Sequence, residues 1–404
     1  MGFLPICYLA DFLRIRHFRI GLLCLFLSLP CFFPLSARDK LLPVFHFNRL
    51  TTADGLPTTE IRSPVVCDRQ GFIWIGTVNG LARYDGYTCK VYHNIPDDPH
   101  SISSNSINAL HVDSRGLLWI GTFDTGVSLY DAANDWFVNF LPIQNDTTWL
   151  PHNPIVVFKE DTKGNIWIGS YQSSIILADL PETMDVTNVD TMAKQIQFRR
   201  FVVGKSWDSI FWIDDWDEAN LLVASGRGIF TIDRVSRKIL PLPLPPVEGM
   251  SLDSVKITDF GWETKQRLWI STYAHGLYLL DRETGSLTGF HKRQKNTKGP
   301  RDDLIMDSHF DTQGRLWIGT TTDLDLFDVS SRKYQEYLTF NPNSAQDINW
   351  LFADRTGRLW VSTRSRGVYY LAPRSFRFPH YGLRGEGGIP KEMETIDSAS
   401  NGSF

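Results

Sequence analysis

The chain has 404 residues, a formal net charge of −4 and 42% hydrophobic residues, with 13 Trp, 13 Tyr and 26 Phe. That balance excludes a nucleic-acid-binding arm: the densest basic block is only His291-Lys292-Arg293-Gln294-Lys295-Asn296-Thr297-Lys298. We read this block as a solvated loop, with a subsite for an anionic ligand as the sharper alternative. Length alone suggests two or three domains, an estimate that an internal repeat overrides.

Residues 1–37 read as a signal peptide. Arg14, Arg16 and Arg19 precede an apolar run from Ile20 to Phe33, and Leu35-Ser36-Ala37 offers a small residue for cleavage. The run is short for a spanning helix, and Cys31 after Pro30 is a poor setting for a lipid anchor. Cys7, Cys24 and Cys31 fall in this segment, which leaves Cys67 and Cys89. The repeat places these two on the innermost and outermost strands of one sheet. Strands about 4.8 Å apart then hold them too far apart to bridge, and two free, partly buried thiols are expected.

Beyond the leader one phrase keeps returning: Gly, a variable residue, Ile or Leu, Trp, Ile or Val, then Gly or Ser. It is centred on Trp74, Trp119, Trp167, Trp269, Trp317 and Trp360, with a blurred copy at Val223, at steps of 45, 48, 56, 46, 48 and 43 residues. A period in the forties built from short strands predicts a seven-bladed β-propeller of four-stranded antiparallel blades, an all-β fold. In the second copy Ile107–Val112 reads as strand A and Asp113-Ser114-Arg115-Gly116 as a type I turn. Leu117–Thr122 follows as strand B, Val127–Asp131 as strand C and Trp136–Phe140 as strand D. Six residues before the Trp position stand Asp68, Asp113, Asp161, Asp217, Glu263, Asp311 and Asp354. Three before it stand Gly71, Gly116, Gly164, Asn220, Gln266, Gly314 and Gly357. Asn220 is expected to hold the turn by tolerating positive φ. Two after it, every copy carries Gly or Ser, which lets a neighbouring blade approach closely. The Asp ring and the Trp ladder look like hydrolase carboxylates and a sugar track. We assign both to turn formation and packing, because a residue repeated in every blade serves what every blade needs.

The outer strand is over-supplied. Phe45–Leu50 and Ser375–Tyr381 both look like strand D. Closure of the last blade by the N-terminal strand is favoured, which makes the later segment surplus. The propeller is placed at residues 44–383, and 384–404 are read as a disordered tail or the start of a second propeller.

The run Leu50-Thr51-Thr52-Ala53-Asp54-Gly55-Leu56-Pro57 resembles the two-component regulator propeller repeat. So do Asp68-Arg69-Gln70-Gly71-Phe72-Ile73-Trp74-Ile75-Gly76-Thr77 and Asn79-Gly80-Leu81-Ala82-Arg83-Tyr84-Asp85-Gly86. Ser101–Ile107 matches the spacer this family sets before strand A. The family builds the periplasmic sensor of hybrid two-component systems in Bacteroidetes. Its members typically carry two propellers, an immunoglobulin-like domain, a membrane helix and a histidine kinase, many with a receiver and a DNA-binding domain. The resemblance implies an exported, periplasmic sensing propeller that binds oligosaccharides, truncated before its kinase and with no enzymatic activity, cofactor, metal or nucleic acid of its own. Self-association through the propeller is a further partner expectation.

Residues that break the repeat are the candidates for recognition. Trp149 and Trp207 lie in connections leading into strand A, and Trp212 and Trp350 lie on strand A itself. Arg62, Asn108, Lys256 and Asn349 are polar residues where strand A begins. Trp216 and Trp262 also stand outside the ladder, and the fourth repeat, with Asp214 and Asp215, is the most irregular. The alternatives are a propeller enzyme (a glycosidase or a lyase) and a non-binding dimerisation scaffold. A glycosidase requires a carboxylate pair at the channel mouth.

Overall fold

The computed structural model describes residues 47–143, 149–150, 154–171, 174–181, 188–202, 209–292, 299–321, 323–330, 333–338 and 348–371. The leader at 1–37, the segment near Phe376, the tail and most of the basic block, residues 293–298, lie outside the described residues.

Seven four-stranded antiparallel sheets form the blades, each in the order A–B–C–D. Strand A of the seven is Ile61–Cys67, Ile107–Val112, Ile155–Glu160, Ile210–Asp215, Ile257–Thr264, Ile305–Phe310 and Ile348–Ala353. Each strand A lies against that of the next blade, and the seventh returns to the first. Closure is by the N-terminal strand: Phe47–Leu50 pairs with Val368–Leu371, Phe47 opposite Leu371 and Leu50 opposite Val368. The first strand of the propeller is therefore the outer strand of its last blade.

Within a blade the repeated acid and indole are one unit. Asp68 Oδ1 accepts from the Gln70 and Phe72 amides, both at 2.9 Å, which fixes the A–B turn. Its Oδ2 accepts from Trp74 Nε1 at 2.8 Å, which satisfies an indole with no exposure to water. The same acid–indole bond recurs at Asp113–Trp119, Asp161–Trp167, Glu263–Trp269, Asp311–Trp317 and Asp354–Trp360, between 2.8 and 3.2 Å. Gly71, at φ +93°, closes the turn in the left-handed region.

Blade 4 solves the same problem differently. Asn220 is not at positive φ, as the sequence reading had it; it opens strand B and pairs with Asp233. Its Nδ2 donates to Asp217 at 3.0 Å, so a carboxamide gives the carboxylate the donor that the indole supplies elsewhere. The irregular acids of this blade face its neighbour: Lys159 of blade 3 pairs with Asp214 at 2.7 Å and Asp215 at 2.9 Å. Cys67 and Cys89 are free and half-buried on strands A and D of blade 1, and burial raises both thiols, Cys89 to about 11.

Blades meet at the first residue of strand A. It is isoleucine in all seven, and all seven are fully buried. The small residue two places after the Trp faces it from the preceding blade. A β-carbon at Gly121 would stand 2.6 Å from Ile155 Cγ2, one at Gly76 2.5 Å from Ile107, one at Gly169 2.7 Å from Ile210 and one at Gly319 2.6 Å from Ile348. These glycines are demanded by space rather than by backbone angle. Gly121→Ala should therefore overpack the blade 2–3 seam and cost about 1–3 kcal/mol. Ser362→Ala, at the equivalent place in blade 7 where a β-carbon already fits, should be close to neutral. Urea unfolding midpoints of the two variants check the contrast.

Candidate functional site

One local irregularity builds the site. Pairing between strands A and B skips a residue after the first isoleucine in six blades: Ile107/Ala109, Ile155/Val157, Ile210/Trp212, Ile257/Asp259, Ile305/Asp307 and Ile348/Trp350. Blade 1 has a longer irregularity, from Ile61 to Val65. A bulge leaves one residue out of the ladder and re-aims its side chain. The residues so placed are Arg62, Asn108, Val156, Phe211, Thr258, Met306 and Asn349, and all seven line a cavity of about 440 Å³ at the mouth of the channel. That volume lies within the range of small-molecule sites.

The rim comes from the residue that follows strand B. The Phe123 amide donates to Ser106 O, that of Tyr171 to Pro154 O and that of Tyr273 to Lys256 O, which ties each rim residue to the start of its own strand A. Phe123, Tyr171 and Arg364 line the cavity with Glu60, Lys256 and Trp350. Lys256 Nζ stands 4.2 Å from the Phe211 ring centroid and 4.5 Å from that of Tyr273, and Arg62 lies 5.3 Å over Phe123. Burial, and then the charge of Arg364, hold the Lys256 ammonium below the ordinary lysine value.

Trp212 and Trp350 come from blades 4 and 7, across the ring from one another, yet their ring centroids are 5.9 Å apart. Trp350 lines the cavity, and Trp212 packs against it from across the ring. Trp350 Nε1 donates to Arg62 O at 3.0 Å, fixing its plane. Asn108 Nδ2 donates to Ile155 O at 2.6 Å and Asn349 Nδ2 to Ile61 O at 3.1 Å, so each amide also staples its blade to the next. Thr258 does the same to Ile305 O at 3.0 Å.

Four of the seven residues expected to bind ligand thus line the cavity, Arg62, Asn108, Lys256 and Trp350, while Trp212 packs against Trp350 without lining it. Trp149 does not reach the mouth. It donates to Leu141 O at 2.9 Å and packs edge-on against Phe198 at 4.9 Å, at the outer strands of blades 2 and 3. Trp207 lies outside the described residues. The sequence reading missed Phe211 and the rim residues Phe123, Tyr171, Tyr273 and Arg364. A usable signal exists: the residue after the first isoleucine of strand A, and the residue after strand B. Trp216 and Trp262 belong to a second cavity, of about 590 Å³, at the A–B turns of blades 4 and 5, where Arg282 covers Trp216 at 4.0 Å.

Two acids sit in the channel wall behind the mouth. Asp259 and Asp307, 1% and 3% exposed, hydrogen-bond to each other between blades 5 and 6. Asp259 Oδ2 also accepts from Ser308 Oγ at 2.8 Å, and Asp307 Oδ2 from the Leu351 amide at 2.6 Å. Burial pushes Asp307 up to about 7, and burial together with the neighbouring carboxylate raises Asp259 well above the usual range. The pair therefore holds a proton that the unfolded chain has released.

These features define a class, a seven-bladed propeller whose strand-A bulges surround a cavity of varied side chains at one end of the channel. Residues 101–124 and 150–172 match the family model described as the two component regulator propeller, and the chain carries that repeat. A stretch of 59 residues is 41% identical to histidine kinase P4 of Formosa agariphila, covering 15% of this chain and 4% of that protein. The fold is shared with the extracellular domain of the putative hybrid two component system BT3049 of B. thetaiotaomicron. That likeness has a TM-score of 0.66 at 18% identity, over 81% of this chain and 42% of that one. It is also shared with a streptogramin B lyase, with a TM-score of 0.58 at 12% identity, over 81% of this chain and 97% of that one. The chain thus spans under half of that extracellular domain, and its match to the histidine kinase covers 4% of that protein.

The buried acid pair sets a pH dependence. Unfolded carboxylates titrate near 3.8, whereas Asp307 is raised to about 7 and Asp259 is raised well above the usual range. Between those values the native state binds more protons, so stability falls as pH rises through that window. Asp259→Asn can donate from its amide to Asp307 while its carbonyl keeps the Ser308 bond. The fall in melting temperature of the parent chain from pH 5 to 8 should flatten in this variant.

Proposed function

We propose that the chain is the ligand-sensing propeller of an exported, periplasmic two-component receptor, and that it recognises oligosaccharides at the channel mouth. Phosphotransfer belongs to kinase domains distinct from the propeller, and the chain itself acts by binding. The observation that carries this reading is the contrast between adjacent positions of strand A. The first is isoleucine in every blade, whereas the bulged second position holds six residue types, two of them Asn, around one cavity. Packing explains the constant position. Nothing in packing requires a side chain aimed into the channel mouth to differ from blade to blade.

The similarity to a histidine kinase and the fold shared with a putative two-component ectodomain support the signalling assignment. The mouth suits saccharides because it combines flat rings, which take the apolar face of a sugar, with amide oxygens that accept from its hydroxyls. Asn108 and Asn349 commit their Nδ2 groups to backbone carbonyls, leaving Oδ1 as acceptor. Glycoside hydrolysis takes two carboxylates about 5–10 Å apart. The described lining of the mouth supplies one, Glu60, while Asp259 and Asp307 are buried in direct contact. Binding therefore fits the mouth better than hydrolysis. A ligand bound there shifts the receptor between signalling states through its differential affinity for them.

Phe211→Ala removes a half-buried ring from the wall without touching the acid–indole bonds or the isoleucine seams. Calorimetric titration of the exported chain with an oligosaccharide panel should show an affinity loss of roughly tenfold in this variant, the scale of an aromatic anchor. Its melting temperature should stay near that of the parent. Unchanged affinity in Phe211→Ala would move the site away from the mouth.

A further inference from the structure

We infer that the ligand carries an anionic substituent, a carboxylate or a sulfate ester, held by Lys256 and Arg364 while its sugar ring lies on the aromatic wall beside them. The inference rests on the mouth being the ligand site. Three of the described lining residues are cations, Arg62, Lys256 and Arg364, against one carboxylate, Glu60. They come from blades 1, 5 and 7, so local sequence does not explain their meeting.

Lys256 is the most constrained of the three. It is half-buried and makes no ion pair among the described residues. Its ammonium lies between the Phe211 and Tyr273 rings, at 4.2 and 4.5 Å from their centroids. Ring faces offset part of the cost of removing an ammonium from water, but less than a carboxylate does. The nearby positive charge of Arg364 works against it as well. Two cations from blades 5 and 7 that repel one another inside a concave site are stabilised together by one anion between them. The neighbouring Tyr171 and Phe211 rings, 6.4 Å apart and edge to face, supply an apolar surface for the sugar that bears it. A neutral sugar leaves that repulsion in place, whereas an acidic one removes it on binding.

A matched set of probes tests this on the exported chain: α-1,4-linked galactotriose with C6 as hydroxymethyl, as carboxylate or as sulfate ester. The expected result is that one or both anionic forms bind at least about tenfold more tightly than the neutral form, as hydrogen bonds to charged groups imply. That preference should weaken with added salt and be lost in Lys256→Gln and in Arg364→Gln, the latter an exposed position. The carboxylate and sulfate arms distinguish a uronate from a sulfated sugar. Equal binding of all three forms, lost in Phe211→Ala but unchanged in both charge variants, overturns the anionic preference and leaves the mouth as a site for neutral sugars. Binding by none of the three at millimolar concentration overturns the inference, and failure of the wider panel as well overturns the oligosaccharide reading beneath it.

Discussion

Everything in this propeller hangs on how closely one blade can approach the next at the start of strand A. The approach is set by an isoleucine methyl occupying the place that a β-carbon would take on the preceding blade, as at Gly121 and Ile155. Interiors pack near crystal density and transmit strain, so a seam with no slack fixes the angle between sheets. Four seams are built on such a glycine and three on a serine, Ser225, Ser271 and Ser362, and together they close the ring. The hydrogen bonds of Phe47–Leu50 to Val368–Leu371 then lock it by joining the two ends of the propeller in one sheet. The seam also sets up the site, because the bulge follows the isoleucine directly and turns the next residue into the channel.

The acid–indole bond serves the other end of the blade. A carboxylate that caps the A–B turn with one oxygen and binds the indole with the other couples turn geometry to strand B packing. Neither half is independent: without the acid the buried Nε1 loses its partner, and without the indole a mostly buried carboxylate loses a side-chain donor. Blade 4 illustrates the constraint by exception. Where Val223 replaces the Trp, Asn220 donates to Asp217, and the freed apolar volume is filled by Leu221, Val223 and Ile232, all buried. The irregular stretch of this blade is put to structural use, Asp214 and Asp215 on Lys159 and Trp216 against Trp262.

Architecture was legible in the sequence because a 3.6-residue or a 2-residue period is ambiguous over one short strand, whereas seven copies in phase are not. The copy number and the strand order follow from counting, whereas counting left two candidates for the last outer strand, of which the favoured N-terminal one closes the ring. The site was legible only in part. Arg62, Asn108 and Lys256 could be placed at the mouth from their offset to the repeat. The contact of Trp212 with Trp350 could not, since it joins residues 138 positions apart in blades that are not neighbours, and only ring closure brings them together. Phe123, Tyr171, Tyr273 and Arg364 were hidden for a related reason. Each is an ordinary loop residue in its own repeat, and the three aromatics join the rim through the backbone bonds that fold them over strand A. Trp149 failed in the opposite direction. A connection of that length has room to carry its aromatic outward, where Phe198 and Leu141 hold it.

The division of labour between adjacent residues explains how such a site can vary without loss of the fold. Isoleucine at the first position contributes to the seams, while the bulged second position is excluded from the ladder and lines the cavity, buried there at Val156 and Thr258. Substitution there changes the wall of the cavity at little cost in packing, except where Asn108, Asn349 or Thr258 also ties two blades together. Those three staples sit at the seams 2–3, 7–1 and 5–6, so the wall is stiffened at intervals rather than throughout. Between the staples stand Val156, Phe211 and Met306, whose side chains bond no neighbouring carbonyl, beside the Lys256 ammonium between its two rings. The constraint that closes the ring therefore leaves the mouth free to be rewritten at blades 3 and 4, between the staples at seams 2–3 and 5–6, and again at blade 6, between those at 5–6 and 7–1.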